Sequence, residues 1–210
     1  MFCISSILQE GIGACLIDKP EFVADCVRQT HARISRPGFS VSVKIRLHAD
    51  LRRTVSLCRQ LEAAGASFIT VHGRTAAQRG EPVDLAAIRT IKQSLTCPIL
   101  ANGDVKSAGD VDRTVAETGA DGVMAARGLL NNPAMFAGYS AAPDRCLAEW
   151  VRLALSIGTP FPCFHHHLIY MAERRFSRPD RRVFNALTST AAVLSYLQDE
   201  WGVELGAGGQ

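Results

Sequence analysis

Apolar and polar positions alternate along this chain with two periods, and the switches between them mark its elements. In "VSVKIRLH" the residues Val41, Val43, Ile45 and Leu47 fall on one face of an extended strand, and Ser42, Lys44, Arg46 and His48 fall on the other. Further strands are read at "SFITVHGRT", "PILANGDV" and "DGVMAARG". Between them the period is helical. "LRRTVSLCRQLEAAGA" sets Leu51, Val55, Cys58 and Leu61 at three- and four-residue spacing and stops at Gly65. "VDLAAIRTIKQSL" does the same with Leu85, Ile88, Ile91 and Leu95, and "SAGDVDRTVAETGA" opens on Ser107, a candidate cap. A further helix precedes the first strand, with Asp18 as its cap, Pro20 in its first turn and Pro37-Gly38 at its end.

Strand and helix therefore alternate four times. Lys44, His72, Asn102 and Arg127 recur roughly every 25–30 residues, the period of a βα unit, which predicts a parallel sheet. Near 140–145, at "SAAPDR", the texture changes. "CLAEWVRLALSIG", "PCFHHHLIYMAERRF" and "RRVFNALTSTAAVLSYLQDEW" are three helical stretches with no strand between them.

The polar strand residues discriminate between parallel folds. In an open doubly wound sheet both faces are covered by helices and strands read as apolar runs. Lys44 and Arg46 would then be buried without partners, at large cost. In a (β/α)8 TIM barrel one strand face packs on helices, while the other points inward and lines the site at the C-terminal rim. Thr70, His72 and Arg74 alternate against Ile69 and Val71 in the same way, and the next two strands end in Asn102, Asp104 and Arg127. "ANGD" and "ARG" close consecutive strands. Glycine there lets backbone N–H groups approach an anion, and barrels bind phosphate after their seventh and eighth strands. The reading is an α/β chain holding the C-terminal half of a barrel, followed by an all-α helical domain, with phosphate at Asn102–Asp104 and Ala126–Arg127. The alternative is a set of turns whose polar residues only cap helices.

Composition adds limits. The chain has 210 residues, 47% hydrophobic and 20% charged, as in ordinary globular proteins, and its net charge of +3 permits an anionic partner without demanding one. Seven cysteines without a CxxC pair argue against a disulfide framework and suit a reducing compartment, the cytoplasm. No run of 18 apolar residues predicts a membrane span, and the apolar start lacks the basic region of a signal peptide. His165, His166 and His167 cannot all face one ion from a helix, so no metal is expected. "ERRFSRPDRR" sets Arg174, Arg175, Arg178, Arg181 and Arg182 against Glu173 and Asp180; it is either a solvated helix junction or a patch for nucleic-acid phosphates. Trp150 and Trp201 read as helix-packing residues, and Lys44 beside a phosphate site also suits Schiff-base chemistry.

"VSVKIRL", "ITVHGRTAAQR", "PILANGDV" and "GVMAARGLLNNPAMF", in this order and spacing, resemble the tRNA-dihydrouridine synthases, with the best match to the eukaryotic branch acting on positions 20a and 20b of the D-loop. "GACLIDKP", "CFHHHLIYM" and "RRVFNALTST" belong to the same pattern, over roughly residues 11–203. The resemblance implies FMN at the barrel rim, reduced by NADPH and passing hydride to C6 of a flipped-out tRNA uridine, with a cysteine acid protonating C5. It implies Lys44 by the N1–O2 edge of the flavin, His72 against the flavin, and Asn102, Gly103, Asp104, Ala126 and Arg127 on the FMN phosphate. Ala126 stands where the family often has glycine. The helical part is implied to hold tRNA, with Arg46, Arg74 and Arg79 extending the basic surface at the rim.

The family carries four strands ahead of "VSVKIRL", and its acid lies in an Asn-x-Gly-Cys-Pro motif. The matching position here is Phe2; Cys3 is one residue off and lacks the flanking Gly and Pro, and Cys15 is no better placed, so no catalytic cysteine is assigned. The expected organisation is an atypical leader at 1–10, a partial FMN-binding barrel at 11–142, a helical tRNA-binding domain at 143–203 and a disordered tail at 204–210. Unpaired outer strands at 40–47 and 121–127 predict self-association. The expected function is FMN-dependent, NADPH-driven dihydrouridine synthesis on tRNA; the alternative is an inactive truncated form that binds flavin or RNA without turnover.

Overall fold

Four strands, β1 (Ser42–Leu47), β2 (Phe68–Thr75), β3 (Ile99–Asn102) and β4 (Gly122–Met124), pair in parallel in the order β1-β2-β3-β4. The structure is a computed structural model, and it describes residues 13–173 and 176–205. The expected leader at 1–10, Cys3, Arg174, Arg175 and residues 206–210 of the expected tail lie outside the described residues. Helices α2 (Leu51–Ala63), α3 (Leu85–Gln93) and α4 (Ala108–Thr118) join successive strands, and α1 (Pro20–Arg33) precedes β1. The parallel α/β alternation is as the hydrophobic pattern predicts.

Local chemistry sets the helix ends. Asp50 starts α2 by accepting from the Arg52 N–H, and Asp84 starts α3 by accepting from the Ala87 N–H at 2.8 Å. α2 buries Thr54, Leu57, Cys58 and Leu61, so its inner stripe is turned from the expected one, with Leu51 and Val55 half-buried. Asp18 does not cap α1. Lys19 holds the cap position without a side-chain bond, and the Asp18 carboxylate instead accepts from Arg53 at 2.7 Å. His48 completes this tie, with Nε2 on the Ile17 carbonyl at 3.1 Å and its backbone N–H on Thr54 Oγ1 at 2.9 Å. The 3-10 turn Gly13–Asp18 is thereby fastened to the end of β1. α1 ends at Arg33, one turn before Pro37-Gly38, with Ile34 extended; a residue preceding proline disfavours the helical region, so the chain leaves the helix early.

The register gives the sheet two unlike faces. Val43, Ile69 and Ile99 form one row and Ile45, Val71, Ala101 and Val123 the next, all toward one side. Ile69, Val71, Ile99 and Ala101 are fully buried there, in one core with Leu61 of α2 and Ile88 and Ile91 of α3. Burying each such Ile or Leu side chain contributes about 2–3 kcal/mol. The other face carries Lys44, Thr70, Leu100 and Gly122 in one row and Arg46, His72, Asn102 and Met124 in the next. A Cβ on Gly122 would lie 2.8 Å from Leu100 Cδ2, so glycine at that position lets Leu100 lie across β4.

The chain divides into two compact units, residues up to 105 with 109–125, and 106–108 with 126 onward. The division after Ala125 falls ahead of the boundary expected at 142/143. The reason lies in α5 (Arg127–Asn131), which packs on α7 (Phe161–Ala172), with Asn131 Nδ2 donating to Glu173 at the end of α7. The second unit also holds α6 (Asp144–Ser156), α8 (Arg178–Asn185) and α9 (Thr190–Asp199). Three helical stretches were expected there, and among the described residues from Asp144 onward there are four helices. Ser189 breaks the last stretch, capping α9 by accepting from the Ala192 N–H. Leu147, Phe164, Leu168, Phe184 and Leu197 form the core of this unit. Trp150 donates to the Phe164 carbonyl and Trp201 stacks on Phe176, both as packing residues. The three histidines diverge: His165 lies between Phe161 and Phe184, His166 meets Tyr170 and His167 meets Trp150. Among the described residues no helix is long and apolar enough to cross a membrane.

Candidate functional site

The second face of the sheet gathers cations toward the C-terminal ends of its strands. Pleating alone puts Lys44 and Arg46 on that face, two residues apart on β1. The parallel register then sets His72 beside Arg46 and Asn102 beside His72. Arg46 Nη1 donates to the Thr75 carbonyl at 3.0 Å, which holds its guanidinium across the end of β2. Asn102 Nδ2 donates to the Met124 carbonyl at 2.8 Å, linking β3 to β4. Lys44 is exposed, and its ammonium makes no hydrogen bond to the described residues.

These neighbours set the protonation states. Burial of the His72 ring lowers its pKa, and Arg46, Lys44 and Arg74 lower it further against an opposing pull from Asp104, bringing it to about 4. His72 is therefore a neutral imidazole at physiological pH. Partial desolvation of the Lys44 ammonium, then repulsion from Arg46, holds Lys44 below the ordinary lysine range. The face presents an ammonium, a guanidinium and a neutral imidazole, a set dominated by donors.

Arg74 departs from its expected place on a basic surface. Its side chain is 6% exposed and its groups are engaged inside the protein. Nε donates to the Glu81 carbonyl at 2.6 Å, Nη2 to Asp104 Oδ2 at 2.5 Å and Nη1 to His72 Nε2 at 3.4 Å. Asp104 Oδ2 also accepts from the Val83 N–H at 3.2 Å. Gly103 has φ +130°, and a Cβ there would meet Val83 Cγ2 at 2.6 Å; Asp104 follows with φ +54°. The side chains of Asn102 and Asp104 are thus bonded to protein. Sequence reasoning missed Val83 and the Glu81 carbonyl. The available signal was Asp104 itself, an acid standing one βα period after a strand-end arginine.

In the second unit Ala126 is the residue before α5 and Arg127 its first, exposed residue. Arg178 and Arg182 are exposed on α8 and make no ion pair with described residues, while Arg181 is half-buried with its Nε unpartnered. Arg79 is exposed in the loop after β2.

The fold and this face define an α/β protein with a donor-rich site at the C-terminal ends of parallel strands, where such folds receive acceptor-rich anionic ligands. The chain belongs to the dihydrouridine synthase (Dus) family, whose sequence model matches residues 4–201. It is 54% identical over 196 residues to a human protein named tRNA-dihydrouridine(20a/20b) synthase NAD(P)+-like, covering 93% of this chain and 62% of that one. It is 56% identical over 197 residues to the mouse protein of the same name, covering 94% and 61%. To the Schizosaccharomyces pombe tRNA-dihydrouridine(20a/20b) synthase it is 39% identical, covering 93% and 60%. The chain thus spans about three fifths of the length of these relatives.

Proposed function

We propose that this chain carries the flavin-receiving part of a tRNA-dihydrouridine synthase, and that the whole protein reduces uridine in the tRNA D-loop at positions 20a and 20b. The observation that carries the reading is the cluster of Lys44, Arg46 and neutral His72 on one sheet face, in a chain of this family. On this reading the four strands are the C-terminal half of a (β/α)8 barrel, and the helices that follow are a tRNA-binding domain.

The residues present fit FMN. An isoalloxazine ring and a phosphate offer acceptors and negative charge, and the site offers donors. When bound, FMN supplies hydride-transfer chemistry with NADPH as its source of electrons. Lys44, with an ammonium free of other bonds, gives a cation to the acceptor edge of the ring and stabilises negative charge there. His72 stays uncharged against the ring, so it orients without adding a full charge. The turn at Gly103, with φ +130°, is proposed to receive the phosphate. Ala126 and Arg127 enter this reading through the sequence motif alone. Arg178, Arg181 and Arg182, with Arg174 and Arg175, are proposed to meet tRNA phosphates.

The test is to purify the chain in the presence of FMN and record the flavin absorbance bands of the protein fraction, for the native sequence and for Lys44→Met. Bound flavin that is lost in the variant supports the reading. A folded protein that retains no flavin sinks it.

A further inference from the structure

We propose that Arg74 is the positioning residue of this site: one guanidinium joins His72, the loop after β2 and the turn after β3, and so fixes both the histidine tautomer and the left-handed turn. The guanidinium stays protonated in proteins and has no acceptor, so the His72 Nε2 it meets at 3.4 Å must be the unprotonated ring nitrogen. The proton of the neutral ring is then on Nδ1. Arg74 thus decides which edge of His72 is the donor, without itself reaching a ligand from its buried place.

The same side chain holds the turn. An aspartate with φ +54° occupies the left-handed region, which side-chain-bearing residues mostly avoid and which Asp tolerates when its carboxylate is bonded locally. Asp104 remains there because Arg74 and the Val83 N–H both bind its Oδ2. Gly103 before it packs so closely on Val83 that a Cβ there would meet Val83 Cγ2 at 2.6 Å. Arg74 Nε on the Glu81 carbonyl anchors the fork to the loop that carries Val83. The end of β2, the loop that follows it and the turn after β3, thirty residues on, are thereby set against one planar group, which lysine, a compact point charge, cannot reproduce.

This inference rests on the flavin reading for its ligand half only, and the experiment separates the two halves. The 210-residue chain is labelled with nitrogen-15, and long-range proton–nitrogen spectra report the His72 tautomer without flavin, the signal being assigned with His72→Gln. FMN affinity is measured separately by quenching of flavin fluorescence. Native protein should show the Nδ1–H tautomer. Arg74→Lys should move His72 to a mixture of tautomers and raise the FMN dissociation constant about tenfold, the size expected for one lost charge-assisted hydrogen bond. A folded Arg74→Lys that keeps both the tautomer and the affinity overturns the proposal. Should that variant not fold, Asp104→Asn reads the turn from its other end: it keeps an acceptor for the Val83 N–H and removes the charge. It should weaken FMN binding several-fold while leaving the His72 tautomer as it was, and unchanged affinity overturns the proposal. If the native chain binds no FMN, the flavin reading fails, and the tautomer comparison still decides the role of Arg74.

Discussion

The two ends of the sheet are built on opposite electrostatic plans. At the N-terminal ends of the strands, carboxylates close the structure. Glu62 accepts from the Thr96 and Cys97 N–H groups, both at 2.7 Å, just before β3. Asp121 accepts from Lys92 and from the Ile99 N–H, also at 2.7 Å, just before β4. At the C-terminal ends Lys44, Arg46 and Arg74 stand around the neutral His72, and Asp104 is engaged with Arg74. Charges at the first end are matched to backbone donors, which is what stability alone selects. Among the described residues the cations at the second end outnumber the carboxylates bonded there, which disfavours the folded chain by itself and makes sense for a receptor of negative charge.

This contrast can be broken most forcefully at Gly103. Gly103→Ala puts a Cβ 2.6 Å from Val83 Cγ2 at a φ of +130° that alanine avoids. We expect a loss of about 3 kcal/mol in denaturant unfolding. Adding Val83→Ala should recover part of it, since the 2.6 Å contact goes while the 3.1 Å approach to Val83 Cβ and the backbone strain stay. Full recovery would show that sterics alone fix glycine there.

At the other end, Glu62→Ala removes the acceptor of two backbone N–H groups. Burial pushes the Glu62 carboxyl up, but the bonds from Cys97 and Thr96 outweigh it and hold its pKa below the usual range. The substitution should cost about 1–2 kcal/mol and leave the FMN dissociation constant unchanged. A change in flavin affinity would mean that the two ends are coupled through the sheet.

A smaller effect appears with pH. His72 has its pKa lowered from 6.5 to about 4 on folding, so the unfolded chain binds more protons between those values. Its contribution to stability is complete above pH 6.5 and is lost as pH falls toward 4, whereas Glu62 and Asp121, both lowered, lose theirs at more acid pH. His72→Gln should therefore flatten the melting-temperature profile between about pH 6.5 and 4 and leave its acid limb in place. Parallel profiles for the two proteins would remove His72 from this account.

Much of this was legible in the sequence, for physical reasons. Strand alternation at Val43, Ile45, Ile69 and Val71 is a period-two signal that the pleat enforces, so the two faces could be read before any coordinates. The place of Lys44 and His72 on one face followed from the same parity. What could not be read was partnership. Arg46 and Arg74 share that parity, yet one half-exposed guanidinium spans a strand end while the other is buried on Asp104. The difference depends on a loop, 76–84, whose course no periodicity describes. The break of the last helical stretch at Ser189 was equally hidden, because a cap is a choice between serine's own backbone bonds and continued helix.

The finest test of the contrast is Lys44→Met, where stability and function should separate. Lys44 is exposed and makes no hydrogen bond to the described residues, and its charged form is disfavoured first by partial desolvation and then by Arg46. Removing it takes away a repulsion, so the unfolding free energy should stay within about 0.5 kcal/mol of the native protein or rise slightly. The same change withdraws one of the cations that lower the His72 pKa, which should climb toward its ordinary value. On the proposed flavin reading, affinity should fall by about tenfold, since one charge–acceptor contact is lost without compensation. A side chain whose loss costs binding and leaves the fold intact belongs to the open end of the sheet by function. If Lys44→Met instead destabilised the chain and left flavin binding intact, Lys44 would join Glu62 and Asp121 among the residues that only close the fold.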